Sequence, residues 1–430
     1  MFALLIYRLF LLLLLPVLLL ALLLRSISNA QYRQRLSERL GFFPNAEAQN
    51  SKGGIVVHAA SVGEVIAITP FVEQLLKQYN DLPITITTFT PTGSTQVKKQ
   101  FGKRVQHSLL PLDILPCTQL FLTRLQPKLM VFMETEIWPN LINQCANKNI
   151  KLLLINGRLS ASSMKSYQRI SPLIKPALNR FDTILCQSQD NLANFLQLGA
   201  SKTQCQLSGN LKFDISINAS NKDKQATLAD LLPPKRTIWL VASTHQGDEE
   251  IALAAFQNIK AIFPQLLLVI VPRHPERFAG VAKLCSNHGY TIAKRSDNTR
   301  VTAEDIWLLD TLGELMAAYA LADIVTMGGS FSQIGGHNPL EPALYQKPII
   351  VGCDMGNFAE VLSQLKQAQG IVQLSSSSPE EHSQQLATAV IDLLEDNGAA
   401  SLLGAKAHQV VLNNQGASAR TLAEVKELLT

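Results

Sequence analysis

Met327-Gly-Gly-Ser-Phe-Ser-Gln-Ile-Gly-Gly-His-Asn-Pro-Leu-Glu-Pro-Ala343 follows a short apolar run, Asp323 to Met327, that reads as a buried parallel strand. The stretch then opens a helix. Asn338 suits an N-cap, Pro339 the first helical position and Glu341 the third. Gly328, Gly329, Gly335 and Gly336 let the backbone bend and approach a ligand closely. A glycine loop feeding a helix N-terminus presents unpaired N–H groups at the positive end of the helix dipole. That combination predicts an anion site, typically for phosphate. The same residues also suit a tight strand-to-helix turn in which Glu341 closes a capping box with Asn338.

Outward from this stretch the same strand-then-helix grammar repeats. Ile55–Ala60, Ile84–Thr90, Leu129–Met133, Lys151–Ile155, Thr183–Cys186 and Cys205–Leu207 read as strands, with helical patterns between most of them. A second series holds Ile238–Val241, Leu266–Val271, Ile306–Leu309, Ile324–Met327 and Ile349–Val351. Apolar runs alternating with helices indicate doubly wound parallel sheets, an α/β fold in two Rossmann-like halves. A length of 430 residues also favours two domains over one core. The expected boundaries are a first half at 51–215, a linker at 216–236 around Leu231-Leu-Pro-Pro-Lys-Arg236, a second half at 237–410 and a C-terminal helix at 411–430.

Phe2 to Leu24 is nearly unbroken Leu, interrupted by Arg8 and Pro16. It exceeds the ~20 residues needed to cross a bilayer core. Residues 1–25 are therefore expected to be an uncleaved membrane anchor. A cleaved signal peptide fits less well, since the stretch lacks a positive leader and a small-residue cleavage site. Arg25, Arg33, Arg35 and Arg39 follow, against Glu38. By the positive-inside rule they place the body on the cytoplasmic side. Residues 26–50 read as a basic membrane-proximal segment, with Ser26–Leu40 as a helix near the headgroups. The run Lys98-Lys-Gln-Phe-Gly-Lys-Arg104 reads as a solvated helix end or a further lipid contact.

Net charge is +5, with 17% charged residues, too mild to suggest a nucleic-acid partner. The six cysteines are scattered without a C-x-x-C pair, which indicates free thiols. No Asp-x-Asp motif, His-rich metal spacing or P-loop is present, so neither metal nor cofactor is expected.

Ligands of open α/β sheets sit beyond the carboxyl ends of the strands. Ser61-Val-Gly-Glu64 there fits a capping box, or places Glu64 as a general base kept ionised by the helix terminus. Glu134-Thr-Glu-Ile-Trp-Pro-Asn140 carries two carboxylates which, on extended chain, point the same way. Arg158 could grip an anion or pair with these glutamates. Lys212, in Ser208-Gly-Asn-Leu-Lys-Phe-Asp214, is a strand-end cation or a surface lysine. In the second half, Ser243 and Thr244 can donate to a phosphate. Arg273 and His274 sit where a nucleotide would lie, and Leu312, Gly313 and Glu314 could read a base edge through their backbone. Capping would also explain most of the Ser243-Thr244 stretch and a turn the Leu312–Glu314 one, and a lone histidine is usually structural, which favours Arg273 over His274.

Five motifs in order resemble one family: His58-Ala-Ala-Ser-Val-Gly-Glu64, Glu134-Thr-Glu-Ile-Trp-Pro-Asn140, Ser208-Gly-Asn-Leu-Lys-Phe-Asp214, Pro272-Arg-His-Pro-Glu-Arg-Phe278 and Gly335-Gly-His-Asn-Pro-Leu-Glu-Pro342. They are similar to the 3-deoxy-D-manno-octulosonic acid (Kdo) transferases of glycosyltransferase family 30. The resemblance covers nearly the whole chain, the N-terminal anchor included. It implies a GT-B fold, two Rossmann-like domains facing across a cleft. It implies transfer of Kdo, with inversion and without metal, from a CMP-Kdo donor to a lipid A precursor (lipid IVA) at the inner membrane. By resemblance Glu64 would be the base, and Glu134 and Lys212 would stabilise the transition state. Arg273, His274, Leu312, Gly313, Glu314, Asn338, Pro339, Leu340 and Glu341 would bind CMP. A UDP-sugar enzyme of the same fold, or an anchored nucleotide or lipid sensor without catalysis, are the competing readings.

Overall fold

The computed structural model describes residues 2–28, 35–42, 51–375 and 378–430. They divide into two compact units. The first holds residues up to Asp214 together with Asn414–Thr430, and the second spans Ile215–Asn413.

The first unit is built on seven parallel strands: β1 Ile55–His58, β2 Ile84–Thr88, β3 Gln106–Leu109, β4 Leu129–Met133, β5 Lys151–Gly157, β6 Thr183–Cys186 and β7 Cys205–Leu207. They run in the order β3-β2-β1-β4-β5-β6-β7. Successive side chains alternate between the sheet's two faces, and both faces are covered. Ile55, Val57, Val131 and Leu153 enter one core, while Val56, Met130, Phe132 and Leu154 enter the other. Each such aliphatic side chain contributes about 1.5–3 kcal/mol by leaving water.

The second unit repeats the plan with β8 Ile238–Thr244, β9 Leu267–Pro272, β10 Ile292–Lys294, β11 Ile306–Leu308, β12 Ile324–Met327, β13 Ile349–Val351 and β14 Val372–Gln373. Their order is β10-β11-β9-β8-β12-β13-β14, again all parallel.

Two expected boundaries change. Residues 216–236, read as a linker, contain a helix, Ala219–Ala229, whose Leu228 is fully buried in the second unit. The stretch 411–430 is not one helix. The helix Asn397–Asn414 ends, and after Gly416 a separate helix Ala417–Leu429 returns to the first unit. There the Asp214 carboxylate accepts from the N–H groups of Gly416 and Ser418, and Arg420 donates to the Ser208 carbonyl.

The N-terminal helix Phe2–Ser28 is long and apolar enough to cross a membrane. In the structure half-covered residues recur every three or four positions from Ala3 to Leu22, Ser26 is buried, and the rest of the helix surface is exposed. This period matches one helical face laid against the first unit. Leu11 and Leu15 pack on Leu112, Ile114 and Cys117, Tyr7 Oη donates to Asp113 Oδ2 at 2.9 Å, and Arg8 Nε donates to Asn140 Oδ1 at 2.8 Å.

Two of the arginines assigned to the headgroups have structural roles. Arg35 forks onto Glu38 and reaches Ser94 and the His107 carbonyl. Arg39 is buried, donates to the Phe89 carbonyl and lies 4.9 Å from that ring's centre. Desolvated guanidinium groups need such partners, and the protein supplies them before lipid can. Of the 26–50 segment, residues 29–34 and 43–50, Arg33 among them, lie outside the described residues. Lys98–Arg104 is the solvated end of the helix Pro91–Phe101, with Arg104 paired to Glu73.

Candidate active-site residues

In the first unit the chemistry gathers at the carboxyl ends of β1 and β4. Ser61 caps the helix Val62–Gln78 by accepting from the Glu64 N–H, and the Glu64 carboxylate accepts in return from the Ala60 N–H at 2.9 Å and the Ser61 hydroxyl at 2.8 Å. The Ser61 cap is therefore formed, with Glu64 reaching back past the Ser61 N–H of a capping box to the Ala60 N–H, and these bonds hold Glu64 at the mouth of the sheet. The helix terminus does not keep this carboxyl in its ordinary range. Burial raises it, the two hydrogen bonds pull it down, and the nearby Glu134 and Glu136 raise it further, leaving it above the usual value.

Glu134 and Glu136 do not sit on extended chain. β4 stops at Met133, and Glu134 takes a positive φ of 56° while its N–H still donates to the Ile155 carbonyl. This turn separates the two acids. Glu136 is held by His58 Nε2 at 3.3 Å and by the Trp138 indole N–H at 2.8 Å. Burial alone would raise its pKa, but the bonds from His58 and Trp138 outweigh that and leave it below the usual range. His58 is buried, with Nδ1 at 3.0 Å from the Thr87 hydroxyl. Trp138 stacks on Phe89, ring centres 5.7 Å apart, and precedes the helix Pro139–Asn147. Glu134, half-buried, makes no side-chain hydrogen bond among the described residues, and Arg158 makes no ion pair among them. Geometry thus distinguishes the acids: the Glu136 carboxylate is tied into the scaffold and that of Glu134 is not, among the described residues.

Lys212 lies in the turn Leu211–Phe213, which packs against the helix that Glu64 begins. That turn hangs on a polar network that the strand reading missed. Asn156, at φ 52°, accepts from the Leu211 N–H, its carbonyl accepts from Gln187, and Gln187 in turn accepts from Asn210. A buried Asn at the end of a strand was the available signal.

In the second unit the expected amide seat is filled from within. Gly328 donates to the Ala242 carbonyl, Gly329 to Asp248, Gly335 to Asp354 and Gly336 to the Gly329 carbonyl. The helix that follows is short, Leu340–Leu344, and Asn338 reaches its first turn by accepting from the Leu340 N–H at 3.1 Å. Glycine is required at 328 by proximity, since an added Cβ would come within 2.6 Å of the Ser243 carbonyl oxygen. Thr244 does not face outward as a phosphate donor either. Its hydroxyl donates to Glu249, which is fully buried and also takes both arms of Arg277 at 2.7 and 2.9 Å.

What this unit offers an anion is side-chain charge. Arg273 is exposed and makes no side-chain hydrogen bond among the described residues. Beside it stand three histidines. His245 and His337 place their Nε2 atoms 2.8 Å apart, and His274 meets the His245 ring edge-on at 5.2 Å. Burial and the Arg273 charge push His337 down to about 4, and His245 is lowered by burial and its cationic neighbours. Burial raises the Glu341 carboxyl to about 6, against the pull of Asn338, Arg273 and Tyr319. Asp248, bonded to the N–H groups of His245 and Gly329, is likewise pushed up to about 6 by burial. Leu312 is exposed. The Gly313 carbonyl accepts from Lys224, and Glu314 pairs with Arg295 at 3.0 Å and accepts from the Thr311 hydroxyl. The Glu314 carboxylate is thereby occupied. Among the described residues no group of three or more His, Cys, Asp or Glu side chains is arranged to hold a metal ion.

A family model described as 3-deoxy-D-manno-octulosonic-acid transferase (kdotransferase) matches residues 34–215. A probable mitochondrial 3-deoxy-D-manno-octulosonic acid transferase of Arabidopsis thaliana is 30% identical over 88% of this chain and 86% of its own. Among solved structures, the UDP-GlcNAc 2-epimerase of Neisseria meningitidis bound to UDP-GlcNAc overlays 87% of this chain and all of its own with a TM-score of 0.59, at 13% identity. That likeness shows the GT-B fold alone. The 3-deoxy-D-manno-octulosonic acid transferase of Haemophilus influenzae is 40% identical over 94% of this chain and 93% of its own. The chain belongs to the 3-deoxy-D-manno-octulosonic acid transferase family.

Proposed function

We propose that the enzyme transfers Kdo from CMP-Kdo to a lipid A precursor, lipid IVA, on the cytoplasmic face of the inner membrane. Glu64 is the base that takes the proton of the acceptor hydroxyl. Its raised pKa brings it toward the working pH of a base while leaving it ionised above that pKa. Glu134, without a partner among the described residues, stabilises the oxocarbenium-like charge that grows on the sugar as the bond to CMP breaks. Lys212 supports the same transition state. One base opposite the leaving group gives inversion. Arg273 and His274 meet the CMP phosphate, and Asn338, Pro339, Leu340 and Glu341 frame it. Leu312, Gly313 and Glu314 contribute backbone groups to the base. Fixed positive charge at Arg273 can offset a departing monophosphate, so the reaction proceeds without a metal and EDTA leaves the rate unchanged. Membrane attachment is through the N-terminal helix.

The observation that carries this reading is the half-buried Glu64 carboxyl, held at a helix start near Glu134, which makes no side-chain hydrogen bond among the described residues. The test uses purified full-length protein, CMP-Kdo and lipid IVA, with mass spectrometry of the lipid product. Glu64→Gln should lower transfer about 10²- to 10⁴-fold, the usual contribution of a general base. CMP binding by calorimetry should be unchanged. Retained turnover in the variant removes the base assignment. Tight UDP binding with no CMP binding replaces the donor.

A further inference from the structure

The anchor reading gives the N-terminal helix nothing to do but hold lipid. Its contacts say otherwise. Two polar side chains on its covered face, Tyr7 and Arg8, reach into the body of the first unit. Tyr7 donates to Asp113 at 2.9 Å and Arg8 to Asn140 at 2.8 Å. Asp113 is buried, and its two oxygens also accept from the N–H groups of Asn140 at 3.0 Å and Leu141 at 2.8 Å. The Asn140 side chain returns a bond to the Asp113 carbonyl at 2.6 Å. The four residues close one network across the start of the helix Pro139–Asn147.

That helix start is also the far end of the turn that carries the acids. Asn140 lies two residues beyond Trp138, whose indole holds Glu136, and β4 fixes the near end at Met133. The near half of the loop between Met133 and Pro139 is bonded to the sheet through the Glu134 N–H to the Ile155 carbonyl and the Glu136 N–H to the Met133 carbonyl, and Tyr167 donates to the Thr135 carbonyl. The loop's other end is set by where Asn140 sits. Asn140 has its backbone and side chain on Asp113, and its side-chain oxygen on Arg8. The residues that would serve as a mere anchor need no such reach, since leucine at both positions would hold lipid better.

We propose that the N-terminal helix is a positioning element for the acceptor-side acids: Tyr7 and Arg8 clasp Asp113 and Asn140, and through Asn140 fix the loop that presents Glu134, Glu136 and Trp138. Membrane attachment and active-site geometry then share one helix. The inference rests on the transferase reading for its catalytic consequence, and on geometry alone for the clasp.

The experiment uses the full chain carrying 5-fluorotryptophan, in detergent micelles with lipid IVA and CMP-Kdo. The three tryptophans give three fluorine resonances, and Trp239 and Trp307, both buried in the second unit, serve as internal references. Tyr7→Phe and Arg8→Ala should each lower kcat about 3- to 10-fold and the pair about 30-fold, within the range set by small misplacements of catalytic groups. KM for CMP-Kdo should stay within about twofold, since the donor residues belong to the other unit. The Trp138 resonance should move while the other two stay in place. Arg8→Lys, which can still donate to Asn140, should restore most of kcat and the Trp138 shift. Flotation with vesicles should be unchanged, which separates positioning from attachment. An unmoved Trp138 resonance in the double variant, or an unchanged kcat, overturns the proposal. If the wild type transfers no Kdo, the transferase reading fails, while the Trp138 shift still decides the clasp.

Discussion

The two sheets share a plan and oppose each other in charge. Each has seven parallel strands, with the opening strand of its series near the middle and helices on both faces. At the carboxyl ends of the first sheet stand Glu64, Glu134 and Glu136, the latter two close enough to help raise the Glu64 carboxyl above its usual range. At the same ends of the second stand Arg273, His245, His274 and His337, where burial and then positive neighbours drive His245 and His337 toward the neutral form. One Rossmann-like unit thus concentrates carboxylates, which in the function proposed above take a proton and face developing positive charge. Its counterpart concentrates cationic and imidazole groups, which in the same proposal meet the phosphate. The lesson is that the fold supplies only the place where loops converge, and the loop residues decide which half of a group transfer is served.

The largest expected break in this comparison lies within the acidic sheet. Glu134 and Glu136 are two residues apart, but only Glu136 has its carboxylate committed, to His58 and Trp138. Glu134→Gln should lower kcat about 10²- to 10³-fold, the size of removing one preorganised electrostatic group. Glu136→Gln keeps an acceptor for the Trp138 indole and should stay within about tenfold of wild type. CMP release under saturating donor and acceptor measures both. Should Glu136→Gln show the deeper loss, the assignment of the two acids reverses.

Much of this was legible in the residues alone, and the failures share causes. The central strands were found because burial on both faces writes itself as an apolar run, as in Leu129–Met133 and Ile324–Met327. The strands missed, Gln106–Leu109, Ile292–Lys294 and Val372–Gln373, are all at sheet edges. An edge strand has one neighbour and partial exposure, so its sequence carries no such run. Glu64 was visible because its Ser61 cap is local. The fate of the glycine N–H groups was not, because their partners come from elsewhere: Asp248 is 81 residues from Gly329, and Asp354 is 19 from Gly335. The positive φ of Glu134 was equally hidden, since glycine and, more weakly, asparagine or aspartate announce that conformation and glutamate does not. Arg39 looked like a lipid contact for the same reason, its acceptor Phe89 lying far along the chain, and Arg35 adds Ser94 and the His107 carbonyl to its near partner Glu38.

The basic sheet offers the next sharpest test. Arg273→Ala removes an exposed guanidinium with no side-chain hydrogen bond among the described residues, so folding should be little affected. A hydrogen bond to a charged group contributes about 1.5–3 kcal/mol, so CMP affinity should fall roughly 10- to 100-fold. Calorimetry with CMP reads this directly, and Glu64→Gln serves as the contrast because it should leave the same affinity intact. An Arg273→Ala protein that binds CMP normally would move the phosphate away from the histidine cluster.

The smallest effect concerns stability and pH, and it isolates the histidines from the carboxyls they adjoin. Asp248 and Glu341 have carboxyls raised to about 6 in the folded protein. Their contribution is complete below the ordinary carboxylate pKa and is lost as pH climbs through about 6. His337 is a base depressed to about 4. Its contribution is complete above about pH 6.5, the ordinary histidine value, and is lost as pH falls through about 4. The two kinds of group oppose each other across the same window. His337→Asn removes the basic side of that balance. Relative to wild type, the variant should therefore gain on the order of 2 kcal/mol of stability on going from pH 7 to pH 5. Thermal unfolding of both proteins at the two pH values measures it. An equal difference at pH 7 and pH 5 would mean that His337 titrates as it does in water, and that the positive rim around Arg273 is open to solvent rather than enclosed.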